Sequence, residues 1–270
     1  MKDRARAILG SAHIIPAGSC SSEERNSYTF FMARTAARKA DQYQFNPSYQ
    51  PVTGFRFETT EYIRPVTTNQ ARFVKSMKNS TFTFASGVAG CGKSLLALHT
   101  AVELVNSKGS AIDRIVYIRP NVGVKDEDGI GFLKGSLLEK VWPLAAPALD
   151  NLVEFMTEGQ AKAAFEYEKI VPVVVSLIRG RSLKNSFVIV DEAQNISVNG
   201  LKAVLTRIRE GSKLVVIGDV EQADLSSFDG RNGLADAFTR FAGLDDFSFI
   251  QFEKSDIQRH PMIASILERY

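Results

Sequence analysis

The sequence predicts an α/β fold: a mostly parallel β-sheet with helices on both faces, preceded by an N-terminal extension. Three observations carry this. From about residue 65 onward short β-rich runs alternate with helical segments, the rhythm of βαβ units. Runs such as Phe187–Val190 and Lys213–Ile217 are nearly all apolar, as strands covered on both faces are. Between one such run and a helical one stands Gly87-Val-Ala-Gly-Cys-Gly-Lys-Ser94, which fits the G-x-x-x-x-G-K-[ST] pattern of a phosphate-binding loop.

In chain order, residues 1–60 mix polar and aromatic residues without sustained period, apart from a candidate helix over Thr29–Asp41, and read as a partly ordered extension. The boundary is placed near residue 60, which leaves 61–270 as the main domain. Thr67–Lys78 opens with N-cap residues and sets Ala71, Val74 and Met77 at helical spacing. Strands are expected over Thr81–Ser86, Arg114–Ile118, Phe187–Val190, Lys213–Ile217 and Ser248–Phe252, with Ile170–Leu177 a further candidate, and a helix over Leu95–Val105.

Composition excludes several classes. Hydrophobic residues make up 44% and charged residues 23% of the 270, and no stretch approaches the roughly 18 uncharged apolar residues of a membrane span. Met1-Lys-Asp-Arg-Ala-Arg6 has no long apolar run behind it, so a secretory leader is not expected and the cytoplasm is the expected compartment. Two isolated cysteines, Cys20 and Cys91, make neither a disulfide framework nor a structural zinc site. The net charge of +3 is uneven: residues 1–80 hold 12 Lys/Arg against 6 Asp/Glu, and 81–270 hold 21 against 24. A basic front can attract a polyanion, and it is equally what an ordinary solvated extension shows.

The glycine-rich run bears the chemistry. Gly87, Gly90 and Gly92 give the backbone conformations closed to other residues, so successive N–H groups of Gly87, Val88, Ala89, Gly90, Cys91, Gly92, Lys93, Ser94 and Leu95 can face a phosphate chain at a helix N-terminus. Lys93 would reach the β- and γ-phosphates of ATP, and Ser94 would ligate Mg²⁺. Cys91 reads as loop filler or, because a helix N-terminus lowers thiol pKa, as a reactive thiol. A second piece, Phe187-Val-Ile-Val-Asp-Glu-Ala-Gln194, ends an apolar strand in two carboxylates. Adjacent strand residues point to opposite sides, so Asp191 can serve the metal while Glu192 orients an attacking water. A third, Lys213–Gln222, ends in Asp219 and Gln222, and Gln222 can bond the γ-phosphate or the water.

Together Gln70, Gly87–Ser94, Arg119-Pro120, Asp191-Glu-Ala-Gln194 and Gly218-Asp-Val-Glu-Gln222 resemble the first RecA-type domain of superfamily 1 helicases. More narrowly, Gly131-Phe-Leu-Lys-Gly-Ser-Leu-Leu-Glu-Lys140, Ile178-Arg-Gly-Arg-Ser-Leu183, Leu205-Thr-Arg207 and Ile257-Gln-Arg-His-Pro261 resemble the PhoH-like ATPases, many of them bacterial or phage-encoded. The resemblance runs from about Thr67 to the C-terminus. It implies a RecA-like P-loop ATPase, often oligomeric, with an RNA-related activity.

Further roles follow from that resemblance. Gln70 resembles the glutamine that reads the adenine edge. Arg119, Lys134, Arg179 and Arg181 fall where superfamily 1 relatives touch a nucleic-acid backbone, and Phe132 and Trp142 offer faces for base stacking. Tandem-RecA helicases take an arginine from a second domain for which 61–270 has no room, so a homo-oligomeric ring, a hexamer being one form, would supply it in trans. Arg259 is the first candidate and Arg207 the second. Arg259 could instead pair with Asp256, and His260 reads as a packed or capping histidine. Three functions stay open: an ATP hydrolase acting on single-stranded RNA or DNA, a nucleotide-gated switch with slow hydrolysis, and a small-molecule P-loop kinase. The last is disfavoured by the missing zinc cysteines and by the Gly218–Gln222 run. No nuclease constellation stands out.

Overall fold

The computed structural model describes residues 54–120, 137–222 and 232–258, with the backbone alone for 137–142. Arg259, His260, Lys134, Phe132, the Trp142 side chain and the candidate helix over 29–41 lie outside the described residues, and all described residues fall within one compact unit, 46–270.

Six strands form one sheet: β1 (Phe82–Ser86), β2 (Arg114–Arg119), β3 (Ile170–Val174), β4 (Ser186–Val190), β5 (Lys213–Gly218) and β6 (Phe247–Gln251). Their order is β3-β2-β4-β5-β1-β6, and every pairing is parallel. The helices are α1 (Thr68–Asn79), α2 (Lys93–Asn106), α3 (Leu137–Leu152), α4 (Glu158–Glu166), α5 (Val198–Leu205) and α6 (Gly233–Arg240). The expected strands thus form, each within about one residue of its expected bounds, except that Ile170–Leu177 divides into β3 and a 3-10 turn over Val175–Leu177.

The strand period of two sorts the core onto two faces. Ala85, Ile115, Tyr117, Phe187, Ile189, Val215 and Ile217 bury against one layer with residues of α1 to α4. Their neighbours Phe84, Val116, Ile118, Val188, Val190, Leu214 and Val216 bury against the other, with residues of α5 and α6. Each fully buried Phe, Ile or Leu side chain contributes roughly 1.5–3 kcal/mol, so the central strands need no polar alternation to hold their place.

Local signals explain most helix starts. Thr67 caps α1 by accepting the Gln70 amide at 3.2 Å, Ser197 caps α5 through Gly200 at 3.1 Å, and Asn232 caps α6 through Leu234 at 2.7 Å. Helix α3 forms against local preference, with Pro143 and Pro147 inside it. Ala145, Ala148, Leu149 and Leu152 are buried in the core, and this packing outweighs the missing backbone donors. The core also reaches back before residue 61. Phe57 is 3% exposed within it, its backbone N–H and C=O both bond Asn106, and the Thr60 N–H donates to the Phe155 carbonyl at 2.9 Å.

Candidate phosphate and metal site

Strand β1 delivers the chain to the carboxyl edge of the sheet, and the glycine-rich loop turns there into α2. Gly87 has φ +146 and a side chain on it would meet Phe252 backbone atoms, so only glycine fits. Gly92, at φ 75 and ψ 16, is the left-handed residue from which α2 starts. The loop is anchored on both sides: Gly87 N–H donates to Gly218 O at 3.2 Å, and Gln258 N–H to Gly90 O at 3.0 Å.

Lys93 folds over the loop, its Nζ donating to Gly87 O at 2.6 Å and Val88 O at 2.8 Å. Burial pulls its pKa below the ordinary lysine value, so the ammonium is short of compensating charge that a phosphate would supply. Ser94 Oγ lies 3.2 Å and 3.3 Å from Asp191 Oδ1 and Oδ2. The same carboxylate accepts the Glu192 N–H at 3.0 Å and the hydroxyl of buried Tyr117. Tyr117 stands opposite Ile189 in the β2–β4 register, and strand alternation puts Asp191 on that same face. Burial pushes the Asp191 pKa up, partly offset by the Tyr117 hydroxyl and the Arg119 charge. A buried carboxylate facing a serine hydroxyl is a pair of hard oxygen donors, which fits Mg²⁺. No three His, Cys, Asp or Glu converge among the described residues, and Mg²⁺ needs no such cage because it keeps waters and substrate phosphates in its shell.

Glu192 sits in the left-handed region at φ 56 and ψ 39, a strain of order 1–3 kcal/mol for a non-glycine residue. Its Oε1 lies 3.2 Å from Arg119 Nη2, and its Oε2 accepts Gln194 Nε2 at 2.7 Å. Gln194 in turn accepts the Asp219 N–H at 3.1 Å, which ties the acidic tip of β4 to the end of β5. Gly218 leaves room for this, since a Cβ there would stand 2.5 Å from Gln194 Oε1.

These groups border a cavity of about 470 Å³. Ala89, Gly90, Gly92, Lys93, Ser94 and Leu95 line it from the loop, and Asp191, Glu192, Asp219 and Gln222 from the strand tips. Gly87 and Val88 border instead a neighbouring cavity of about 440 Å³. Asp219 borders both cavities, 5% exposed, with Oδ2 buried and unpartnered. Cys91 is loop filler: its side chain is fully buried and burial pushes its pKa up, which corrects the reactive-thiol alternative. Gln70 is 3% exposed, its amide donating to Cys91 O at 3.1 Å and accepting Val66 N–H at 2.7 Å. One amide hydrogen and one lone pair remain on it.

The other predicted residues are dispersed. Arg119 is part of the phosphate site through Glu192. Arg179 is exposed and Arg181 half-buried, both on the connection between β3 and β4. Arg207 bonds Leu183, just before β4, through its carbonyl, which places it at the amino end of a parallel sheet whose carboxyl end holds Lys93. Asp256, the alternative partner of Arg259, already binds Asn69 Nδ2 at 2.9 Å and the Glu253 N–H at 2.8 Å. Sequence reasoning missed Tyr117, Gln194, Asn151, Glu154 and Gln258 as contributors to the site. Gln194 and Gln258 lay inside runs already singled out. Asn151 and Glu154 reach the cavity from α3 and the turn after it, and no local pattern marks them.

A parallel sheet whose first strand feeds a glycine-rich loop, with an acidic strand tip against that loop's serine, defines a RecA-like P-loop nucleotide-binding domain. The chain belongs to the PhoH-like family: the profile described as PhoH-like protein matches residues 62–270. A PhoH-like protein of Synechocystis is 38% identical over 211 residues, 78% of this chain and 62% of its own. One from Bacillus subtilis is 37% identical over 208 residues, 77% of this chain and 64% of its own. The chain therefore spans under two thirds of the length of these relatives. The large terminase of a thermophilic bacteriophage is a remote likeness, with TM-score 0.41 and 10% identity over 76% of this chain and 50% of its own. Among the described residues no helix is long and apolar enough to cross a membrane.

Proposed function

We propose that this protein hydrolyses ATP with Mg²⁺ and couples hydrolysis to single-stranded RNA or DNA in the cytoplasm. The observation that carries the reading is the Ser94–Asp191 contact, which brings the end of the glycine-rich loop against the acidic tip of β4. Loop N–H groups and the Lys93 ammonium hold the phosphates. Ser94 and Asp191 would hold Mg²⁺, which neutralises phosphate charge. Glu192 accepts a proton from water as the water oxygen bonds the γ-phosphorus and the bond to the β-phosphate oxygen breaks, releasing ADP and phosphate. Gln222 borders the same cavity and senses the γ-phosphate or the water. Gln70 turns its remaining amide hydrogen and lone pair to adenine.

Arg119, Lys134, Arg179 and Arg181 are the proposed strand contacts, with Phe132 and Trp142 as stacking faces. A neighbouring subunit of a homo-oligomeric ring supplies Arg259, or Arg207, to the transition state. Steady-state ATPase with and without single-stranded oligonucleotide tests the whole, beside the mass of the assembly in solution. Mixing Arg259→Ala with Lys93→Ala subunits should restore activity if the site is shared, and no rescue in intact assemblies counts against Arg259. One observation favours a second reading, a nucleotide-gated switch with slow turnover: both Glu192 oxygens are already held by the chain's own donors. Turnover that stays near zero with every oligonucleotide would favour that reading.

A further inference from the structure

Glu192 is clamped from two directions by groups of different character. Gln194, in the turn after β4 and 3% exposed, is a fixed support, its Oε1 accepting the Asp219 N–H just past β5. Arg119 is a charged partner at the tip of β2, with its side chain 19% exposed against 42% for Glu192. Glu192 lines the 470 Å³ cavity and Arg119 does not, so the guanidinium meets the carboxylate without itself bordering that space. The backbone beneath is left-handed at a non-glycine residue, a conformation that persists only while its surroundings enforce it.

We propose that Arg119 is a latch on Glu192: a positioning residue that holds the carboxylate in the resting protein and releases it when a phosphate group draws the guanidinium away. This rests on the ATPase reading above and adds its regulation. A carboxylate whose two oxygens each face a donor has fewer lone pairs to offer an attacking water. A phosphate presents more charge and a bidentate edge to guanidinium, so it competes well for Arg119. The exchange is easy because a partly exposed ion pair is weak. The phosphate comes either from a nucleic-acid backbone or from the end of ATP itself, and the arms of one experiment separate the two.

The experiment compares wild type, Arg119→Gln, Arg119→Lys and Glu192→Gln in the full chain, with fluorescent ADP and Mg²⁺ as the binding control. Without polyanion, Arg119→Gln should raise kcat about three- to fivefold, the scale of a partly exposed ion pair, with Arg119→Lys in between. An unchanged or lower kcat in Arg119→Gln, with ADP still bound, overturns the latch and leaves the ATPase reading standing. Stimulation of wild type but not Arg119→Gln by a single-stranded oligonucleotide identifies the strand as the source. A fast Arg119→Gln with no strand effect on either protein excludes the strand as the source, and a KM for ATP raised in Arg119→Gln identifies ATP. A readout independent of turnover is binding to Glu192→Gln, where the freed guanidinium should tighten the oligonucleotide, or ATPγS relative to ADP, by a similar factor. Tightening of neither also overturns the proposal. Wild type that fails to bind ADP brings down the ATPase reading and the latch together.

Discussion

Gly87 and Phe252 approach so closely that a Cβ on the glycine would stand 2.5 Å from the Phe252 Cβ and 2.6 Å from its carbonyl oxygen. The phosphate loop and the segment leaving β6 thus occupy one space, tied by Phe252 N–H donating to Ser86 O at 2.7 Å. Gly87→Ala should destabilise the protein by about 2–4 kcal/mol through overpacking and a left-handed φ. Thermal unfolding with and without nucleotide measures it, and an unshifted Tm would show that the loop relaxes away from Phe252.

Asp191→Asn removes the charge that Ser94, Tyr117 and the metal site share. Turnover should fall on the order of 100-fold or more, the scale of losing one preorganised electrostatic contact, and nucleotide affinity should lose its Mg²⁺ dependence. Titrating nucleotide with Mg²⁺ or with EDTA checks this. An affinity still raised by Mg²⁺ would place the metal elsewhere.

Glu192→Gln keeps the shape of the site while removing the proposed base. Nucleotide binding should persist and kcat should fall about 10²- to 10⁴-fold, the range of general-base contributions. Retained turnover would assign the base to another group.

His99 gives the fold a pH dependence. It is 4% exposed, its Nε2 accepts the Ile63 N–H at 3.3 Å, and it meets the rings of Tyr62 and Phe155. Burial lowers its pKa below the ordinary 6.5 despite the nearby Glu103 carboxylate. The unfolded chain therefore binds the proton first, so the contribution is complete above pH 6.5 and is lost as pH falls toward the lowered folded value. Melting curves between pH 7.5 and about 5 should show Tm falling more steeply for wild type than for His99→Gln. Equal slopes would remove His99 as the cause.

Much of this was legible in the residues. The apolar runs specified the strands because a buried parallel strand needs little besides burial and β-propensity, and Gly87–Ser94 specified the loop because few residue types permit its conformation. Asp191 and Glu192 were legible as a pair at the end of an apolar run, but not their directions: β4 ends at Val190 and Glu192 turns into the left-handed region, so strand alternation does not reach it and both line one cavity. Helix α3 was not, because its two prolines argue locally against helix and only burial of Ala145, Ala148, Leu149 and Leu152 overrides them. Arg119 is the sharpest case. At the end of an apolar run it reads as a cation open to a strand, and the neighbouring strand instead presents it with Glu192.

By itself, then, the order of residues determined which segments form strands and where the glycine-rich loop and the two carboxylates fall along the chain, because these depend on local conformation and on burial of contiguous side chains. Tertiary structure alone decided that Arg119 reaches Glu192, that Tyr117 reaches Asp191 and that Gln70 braces the loop. Tyr117 and Asp191 stand 74 positions apart, a distance closed only because β2 pairs with β4 in the sheet.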